Sequence, residues 1–243
     1  MHAEPSVAMS PLVACLFLPI LSGADPSAYE ILAAVARNSA MRHQAVYSGV
    51  RQYSIHNFRF DKSASVEVRI TAQPAKGKQF TIVSRSGCGK LIDVVETLIS
   101  TEADAGRPNE TRGHEICPSN YHASLTGSET VAGRECWVLA LKPKVRNKYL
   151  IDGTAWVDKS SYALVRLDGT TASRVSMWVG TPHIIEEFAP VGGIWLPRHT
   201  VSESRSALLG VSQLDIRYTD YDVEPIKNSS VQRHIGTTAG EGR

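Results

Sequence analysis

The sequence lacks an excess of charge of either sign. Its 26 Lys and Arg residues and 24 Asp and Glu residues leave a formal net charge of +2 over 243 residues. A chain that binds nucleic acid electrostatically carries a basic patch or a basic overall balance. The composition therefore gives no indication of a nucleic-acid partner.

Cysteine is scarce as well. The four cysteines are too few for a small scaffold held together by disulfides, so the apolar core must supply the stability. Three of them, Cys88, Cys117 and Cys136, lie beyond the N-terminal segment. In an oxidising compartment this odd number permits one disulfide and one free thiol, and the spacing does not select the pair.

The sequence also has no apolar run of the length that a membrane-spanning helix needs. The run over residues 7–21 is interrupted by Pro11 and Pro19 and is shorter than the roughly 20 residues required. Small residues at 22–24 follow it, as at a signal-peptidase site. This pattern predicts a signal peptide over residues 1–24 and an exported, periplasmic protein.

Two other interpretations of the N-terminus stay open. The apolar run is also compatible with a buried N-terminal helix. Leu12, Val13 and Ala14 precede Cys15 as small and apolar residues precede the lipidated cysteine of bacterial lipoproteins, which would anchor the protein. The apolar residues after Cys15 are not typical of that alternative.

Two segments have helical periodicity. Ser27 and Glu30 have capping-box spacing, and the apolar residues after them predict a helix to about Met41. A second helix ends near Ala105 and has one apolar face, formed by Leu91, Ile92, Val95, Leu98 and Ile99. The polar loop over residues 109–120 that follows has the length of a lid or a rim.

The remaining segments up to Tyr221 predict strands. Residues 66–72 alternate apolar and polar side chains, the clearest period of two in the chain. Asp152–Gly153 and Asp168–Gly169 predict hairpin turns, the second before a strand over residues 172–179. After Pro225 the chain is polar and glycine-rich, so residues 226–243 are expected to be a disordered tail.

Most connections between these strands are too short for parallel crossovers. We therefore expect a mainly β (α+β) domain over residues 25–225. Its architecture would be a large curved antiparallel sheet or half-open barrel of about eleven strands, with both helices covering the concave face.

An incomplete fit between helices and sheet would leave an apolar cavity for a ligand. The side chains predicted to line it come from the first strands, the second helix and the tryptophans: Val66, Val68, Ile70, Phe80, Ile82, Leu91, Ile92, Val95, Leu98, Ile99, Trp137, Trp156 and Trp178.

No residue pattern predicts catalysis. Cys88 lies between two glycines, but the spacing fits neither a phosphate loop nor a nucleophile elbow. The sequence thus predicts a protein that is not an enzyme, with no cofactor. His114, Cys117 and His122 lack standard zinc spacing, so no metal site is expected. His183 and His199 lie near acidic residues, but the sequence connects no nucleophile with them. The acidic residues are Glu186, Glu187 and Glu203.

Four stretches resemble a known family: YSGVR at residues 47–51, GKQF at 77–80, the segment from LTG at 125 to GRECWVL at 133–139, and PVGGIWLP at 190–197. Over roughly residues 25–225 the chain resembles the LolA/LolB/RseB superfamily, including bacterial outer-membrane lipoprotein-sorting proteins. Members fold as a half-open barrel that a helical lid closes over an apolar cavity.

The resemblance implies a monomeric periplasmic carrier for an acylated lipoprotein or a lipid, with a lid formed by residues 91–102 and the loop to Asn120. The alternative is an RseB-like sensor that binds an inner- or outer-membrane partner protein. A buried arginine latches the lid of the family's carriers, and Arg51 and Arg69 are the candidates here. The family's anchored acceptors expose an apolar loop, for which Trp195 and Leu196 are candidates.

Overall fold

The computed structural model describes residues 25–105, 113–176 and 179–225. The predicted signal peptide with Cys15, part of the predicted polar loop, Trp178 and the predicted tail lie outside the described residues. The elements are α1 (Ala28–Gln44), β1 (Tyr47–Asn57), β2 (Lys62–Gln73), β3 (Gly77–Gly87), α2 (Gly89–Ala105), β4 (Tyr121–Val131), β5 (Arg134–Pro143), β6 (Ile151–Asp158), β7 (Leu164–Thr171), β8 (His183–Val191), β9 (Ile194–Ser206) and β10 (Gly210–Val223).

The strands form one antiparallel sheet in the order β3-β2-β1-β10-β9-β8-β7-β6-β5-β4. The described part of the chain thus has ten strands where the sequence predicts about eleven. β3 and β4 are the edges of this sheet, which is open rather than closed into a barrel. The predicted mainly β fold with a large curved antiparallel sheet and two helices is confirmed.

Both helices lie on the inner face of the sheet. α1 begins with the predicted capping box, in which the Ser27 hydroxyl accepts from the Glu30 backbone N–H and the Glu30 carboxylate accepts from the Ser27 backbone N–H. Its residues Ile31, Leu32 and Val35 are fully buried against the sheet half that contains β5, β6 and β7. α2 packs on the other half, against β1, β2 and β3.

The two predicted hairpin turns at Asp–Gly pairs are wrong. Gly153 lies inside β6 and Gly169 lies inside β7, and the two glycines are direct partners in the sheet. A Cβ on Gly153 would collide with the Asp168 carbonyl oxygen, and one on Gly169 with the Asp152 carbonyl oxygen. These glycines allow close approach of two strands, a role that glycine serves in strand interiors as well as in turns.

The predicted strand over residues 172–179 is also wrong for the part of it that the structure describes, residues 172–176 and 179. Among its described residues only Ser176 makes a bridge, an isolated one to Gly180. The described residues of this segment lie between β7 and β8 in the chain.

Candidate functional site

Most side chains predicted to line a cavity pack together beneath α2. Val66, Val68 and Val95 are fully buried, and Ile99 packs with them. Phe80, Ile82, Leu91 and Ile92 lie at the margin of the same cluster, and Leu98 is half-buried. The apolar stripe of α2 therefore packs directly on the sheet.

The other predicted lining residues are spread over the molecule. Ile70 packs beside Leu196 in a third cluster, and Trp137 packs beneath α1. Trp156 lies on the opposite, outer face of the sheet, where its indole N–H donates to Glu129 and Arg166 stacks on its ring. Because successive side chains of a strand alternate between faces, Trp156 cannot share a face with the buried Ala155 and Val157.

A cavity of about 640 Å³ lies beside α2 rather than under it. It is bounded by the second half of α1, the end of α2 at Glu102, the turn after β2, and strands β6 to β9. None of the predicted lining residues that the structure describes contributes to its wall. The apolar part of the wall includes Val35, Met41, Ala45, Tyr47, Ile116, Ile151, Leu164, Leu167, Ile184, Phe188, Ile194 and Trp195.

The size and the wall of this cavity suit a ligand with a long apolar part. Pockets of roughly 300–1,000 Å³ with mostly apolar linings and a few polar groups are typical of small-molecule sites. Charged and ionisable groups of this wall include Arg42 and His43 at the end of α1, Lys78 on β3, Glu102 at the end of α2, and Glu186 on β8.

At the cavity edge, Glu102 joins the end of α2 to two strands. Its carboxylate accepts from the Arg51 guanidinium on β1 at 2.6 Å and from the Lys78 ammonium on β3 at 2.7 Å. The Arg51 side chain is 3% exposed, whereas that of Glu102 is 35% exposed. The Arg51 guanidinium also lies over the rings of Phe80 and Tyr218.

Charge pairing dominates the electrostatics of this contact. Burial alone would raise the pKa of Glu102, but Arg51 and Lys78 outweigh it and hold that pKa well below its usual value. Burial also opposes the charge on Arg51, yet the facing carboxylate raises the pKa of the guanidinium. Both groups therefore stay ionised, and charge-assisted hydrogen bonds join the end of α2 to β1 and β3.

Of the two arginines that the family resemblance offers as a latch, Arg51 is the buried one. Arg69 is exposed on the polar face of β2. The candidate apolar loop residues also separate, because Leu196 is fully buried while Trp195 lies in the cavity wall.

Two further titratable groups face the cavity. Burial raises the pKa of Glu186. Burial, with Arg42 and Lys78 nearby, lowers the pKa of His43 to about 4. Glu115, with its carboxylate 3.4 Å from the His43 ring, favours the protonated form but does not offset these effects.

The other candidate chemical groups do not come together. His183 contacts Asp168 at 2.8 Å and His199 contacts Asp215 at 2.9 Å, so neither is oriented by Glu186, Glu187 or Glu203. In the described residues no group of three or more His, Cys, Asp or Glu side chains, including His114, Cys117 and His122, could hold a metal ion. Cys88, Cys117 and Cys136 are all free thiols that form no disulfide bond.

The structure belongs to the class of folds in which helices cover the inner face of an open antiparallel sheet. The family model of the MucB/RseB N-terminal domain matches residues 68–176, from β2 to beyond β7. The resemblance to the LolA/RseB-like family is thereby confirmed. No curated protein sequence matches the chain.

Solved structures of 28 chains match this fold. A LolA superfamily protein from Nitrosomonas europaea is 13% identical, with 83% of this chain and 95% of that chain covered and a TM-score of 0.45. A chain of the MucA/MucB complex of Pseudomonas aeruginosa is 14% identical, with coverage of 79% and 93% and a TM-score of 0.28. LprF from Mycobacterium bovis is 9% identical, with coverage of 81% and 95% and a TM-score of 0.32.

None of the helices described is long and apolar enough to cross a membrane.

Proposed function

We propose that this chain is an exported binding protein, with residues 1–24 as its signal peptide, that holds an acyl chain of a lipoprotein or a lipid. The observation that carries the proposal is the cavity between α1, α2 and strands β6 to β9. Its wall is apolar over most of its area, and burial of an acyl chain contributes about 0.8 kcal/mol per CH₂. Binding of this kind requires no covalent chemistry.

In this proposal α2 is the element that opens the cavity. Its end at Glu102 lies in the cavity wall and is joined to Arg51 and Lys78 by two ion pairs. Separating these pairs would free the end of α2 and widen the cavity beside it. Ligand entry and release through such a moving element is a common arrangement.

The test places a bulky residue in the cavity and compares it with a matched change on the other face. Ile184 on β8 lies in the cavity wall, whereas Ile185 is the next residue and is not part of that wall. We expect Ile184→Trp to weaken binding of a fluorescent acyl probe by at least about tenfold, because the indole would occupy ligand space. Ile185→Trp should bind the probe like the unmodified protein.

Equal binding by both variants, with unchanged circular dichroism, would contradict the proposed location of the ligand. Failure of the unmodified chain to bind any acyl probe, together with the absence of lipid in native mass spectra of protein purified from its own compartment, would contradict the function.

A second candidate function is regulation through a partner protein. The observation that favours it is the match of residues 68–176 to the MucB/RseB N-terminal domain, since one matching chain belongs to the MucA/MucB complex. In this candidate, the chain binds an inner-membrane protein in an RseB-like way. Pull-down of one stoichiometric membrane protein by the full chain would support it, and recovery of none would count against it.

A further inference from the structure

Two opposite charges lie side by side in the cavity wall without touching each other. Glu186 is on the inner face of β8, and Phe188 follows two residues later. The Arg42 guanidinium, in the last turn of α1, lies over the Phe188 ring, 6.0 Å from its centroid. All three side chains line the cavity.

Neither charge is neutralised by direct bonding. Throughout the described ranges, no side-chain hydrogen bond or ion pair within 4.0 Å involves Arg42 or Glu186. The other charged groups of the wall are engaged: Glu102 binds Arg51 and Lys78, and His43 faces Glu115. Lys148 lies over the Tyr149 ring.

An unpaired carboxyl group in such a wall is costly to the folded protein. Burial of a polar group without a partner typically destabilises a protein, and a charged group more so. The raised pKa of Glu186 reflects that burial. Conversion of Glu186 to a neutral residue should therefore stabilise the fold, which points to a role in recognition rather than in folding.

We propose that Arg42 and Glu186 form a two-part subsite for the zwitterionic head group of an acylated phospholipid. This inference rests on the proposed function, since it assigns the polar end of the same ligand. The Arg42 guanidinium matches the geometry of a phosphate group, to which it can donate two parallel hydrogen bonds. The Glu186 carboxylate then accepts from the ammonium group, and the acyl chain occupies the apolar wall at Ile184, Leu164 and Leu167.

A ligand without an ammonium group would leave Glu186 desolvated and unpaired. Sites built to bond a polar group discriminate against analogues that lack it, because the buried partner then has no substitute for water. The subsite thus predicts a preference between two phospholipids that share the phosphate and the acyl chain and differ only in the head group.

The experiment compares lysophosphatidylethanolamine with lysophosphatidylglycerol of the same chain length, by displacement of a fluorescent acyl probe from the full chain. We expect the ethanolamine lipid to bind about tenfold more tightly. Glu186→Gln should remove that preference by weakening the ethanolamine lipid alone, and Arg42→Gln should weaken both lipids.

Glu187→Gln is the matched control. Glu187 is the adjacent residue of β8, pairs with His199 and Arg166 in the neighbouring strands, and is not part of the cavity wall. This variant should keep the ethanolamine preference. Thermal unfolding supplies a second readout, in which Glu186→Gln should raise the Tm.

Equal affinity of the unmodified chain for both lipids would overturn the subsite while leaving the proposed acyl cavity intact. A preference that survives Glu186→Gln, or a Tm that this variant lowers, would overturn the role of Glu186. Failure of both lipids and the acyl probe to bind would instead overturn the proposed function, and with it the subsite.

Discussion

The two helices are equal in length but differ in the contacts that stabilise them. α1 and α2 both have 17 residues and both lie on the inner face of the sheet. α1 has a capping box and packs into a cluster of twelve buried residues, whereas α2 starts two residues after Gly87, which has a φ of +94°. α2 contributes two buried residues, Val95 and Ile99, to a smaller cluster and relies on ion pairs at its end.

The packing of the two helices determines where the cavity lies. The apolar stripes of both helices pack on the sheet beneath them, and Val35 of α1 also borders the cavity. The cavity lies where the end of α1, the end of α2 and strands β6 to β9 converge without an apolar side chain to fill the space. The end of α2 lies in that wall, at Glu102.

The largest expected effect is on the half of the core beneath α1. Leu32→Ala should lower the free energy of unfolding by about 3 kcal/mol, because it removes a buried side chain from the largest cluster. Urea denaturation of the whole domain measures it. Tyr29→Ala, on the same helix at a residue that is 68% exposed, should change the free energy by less than about 0.5 kcal/mol. Equal effects of the two changes would contradict the assignment of the core.

The next largest expected effect on stability is at the close contact between β6 and β7. Gly169→Ala should lower the free energy of unfolding by about 2 kcal/mol, because its Cβ would meet the backbone of β6. Gly127→Ala is the control, since nothing lies near a Cβ built on that β4 glycine. A tolerated alanine at position 169 would show that the close contact of β6 with β7 is absent and would restore the hairpin interpretation.

Two glutamates of α2 allow a smaller and more local comparison. Glu102→Gln should destabilise the end of α2 by about 1–2 kcal/mol, below the range for a fully buried pair because Glu102 is partly exposed. Glu96→Gln, which removes the exposed pair with Arg85, should cost about 0.5 kcal/mol or less. Hydrogen exchange of the α2 amides measures both, and a larger loss of protection for Glu96→Gln would contradict the latch at Glu102.

The smallest effect is a pH dependence of the same contact. The pKa of Glu102 is lower in the folded protein than its ordinary value of 4.5, so the folded state gains stability above pH 4.5. That stability should decline as the pH falls below 4.5 toward the lowered value. The difference in unfolding free energy between the unmodified chain and Glu102→Gln should therefore shrink between about pH 5 and pH 3. A constant difference would show that the carboxylate is not stabilised by its charge.

Local patterns predicted the elements well where one face is buried. The capping box at Ser27 and Glu30, the alternation at Val66, Val68 and Ile70, and the stripe of α2 all correspond to observed elements. These features depend on neighbours in sequence, and helix and strand periods report them directly.

What the sequence could not reveal depends on residues distant in the chain. Gly153 and Gly169 are partners only after β6 and β7 pair, so each dipeptide resembles a turn in isolation. Arg51 and Glu102 are separated by 51 residues, and only the packed position of α2 brings them together. An apolar side chain at a periodic position is the same in sequence whether it fills a core or lines a void.

In the proposed function, the ligand lies beside α2 and not beneath it. The most direct measurement is photo-crosslinking of the full chain with an acyl probe that carries a diazirine at the end of its chain, followed by mapping of the labelled residues. We predict labels in the cavity wall, at Met41, Leu164, Ile184 or Trp195. Labels confined to Val66, Val68 and Val95, the core beneath α2, would contradict it.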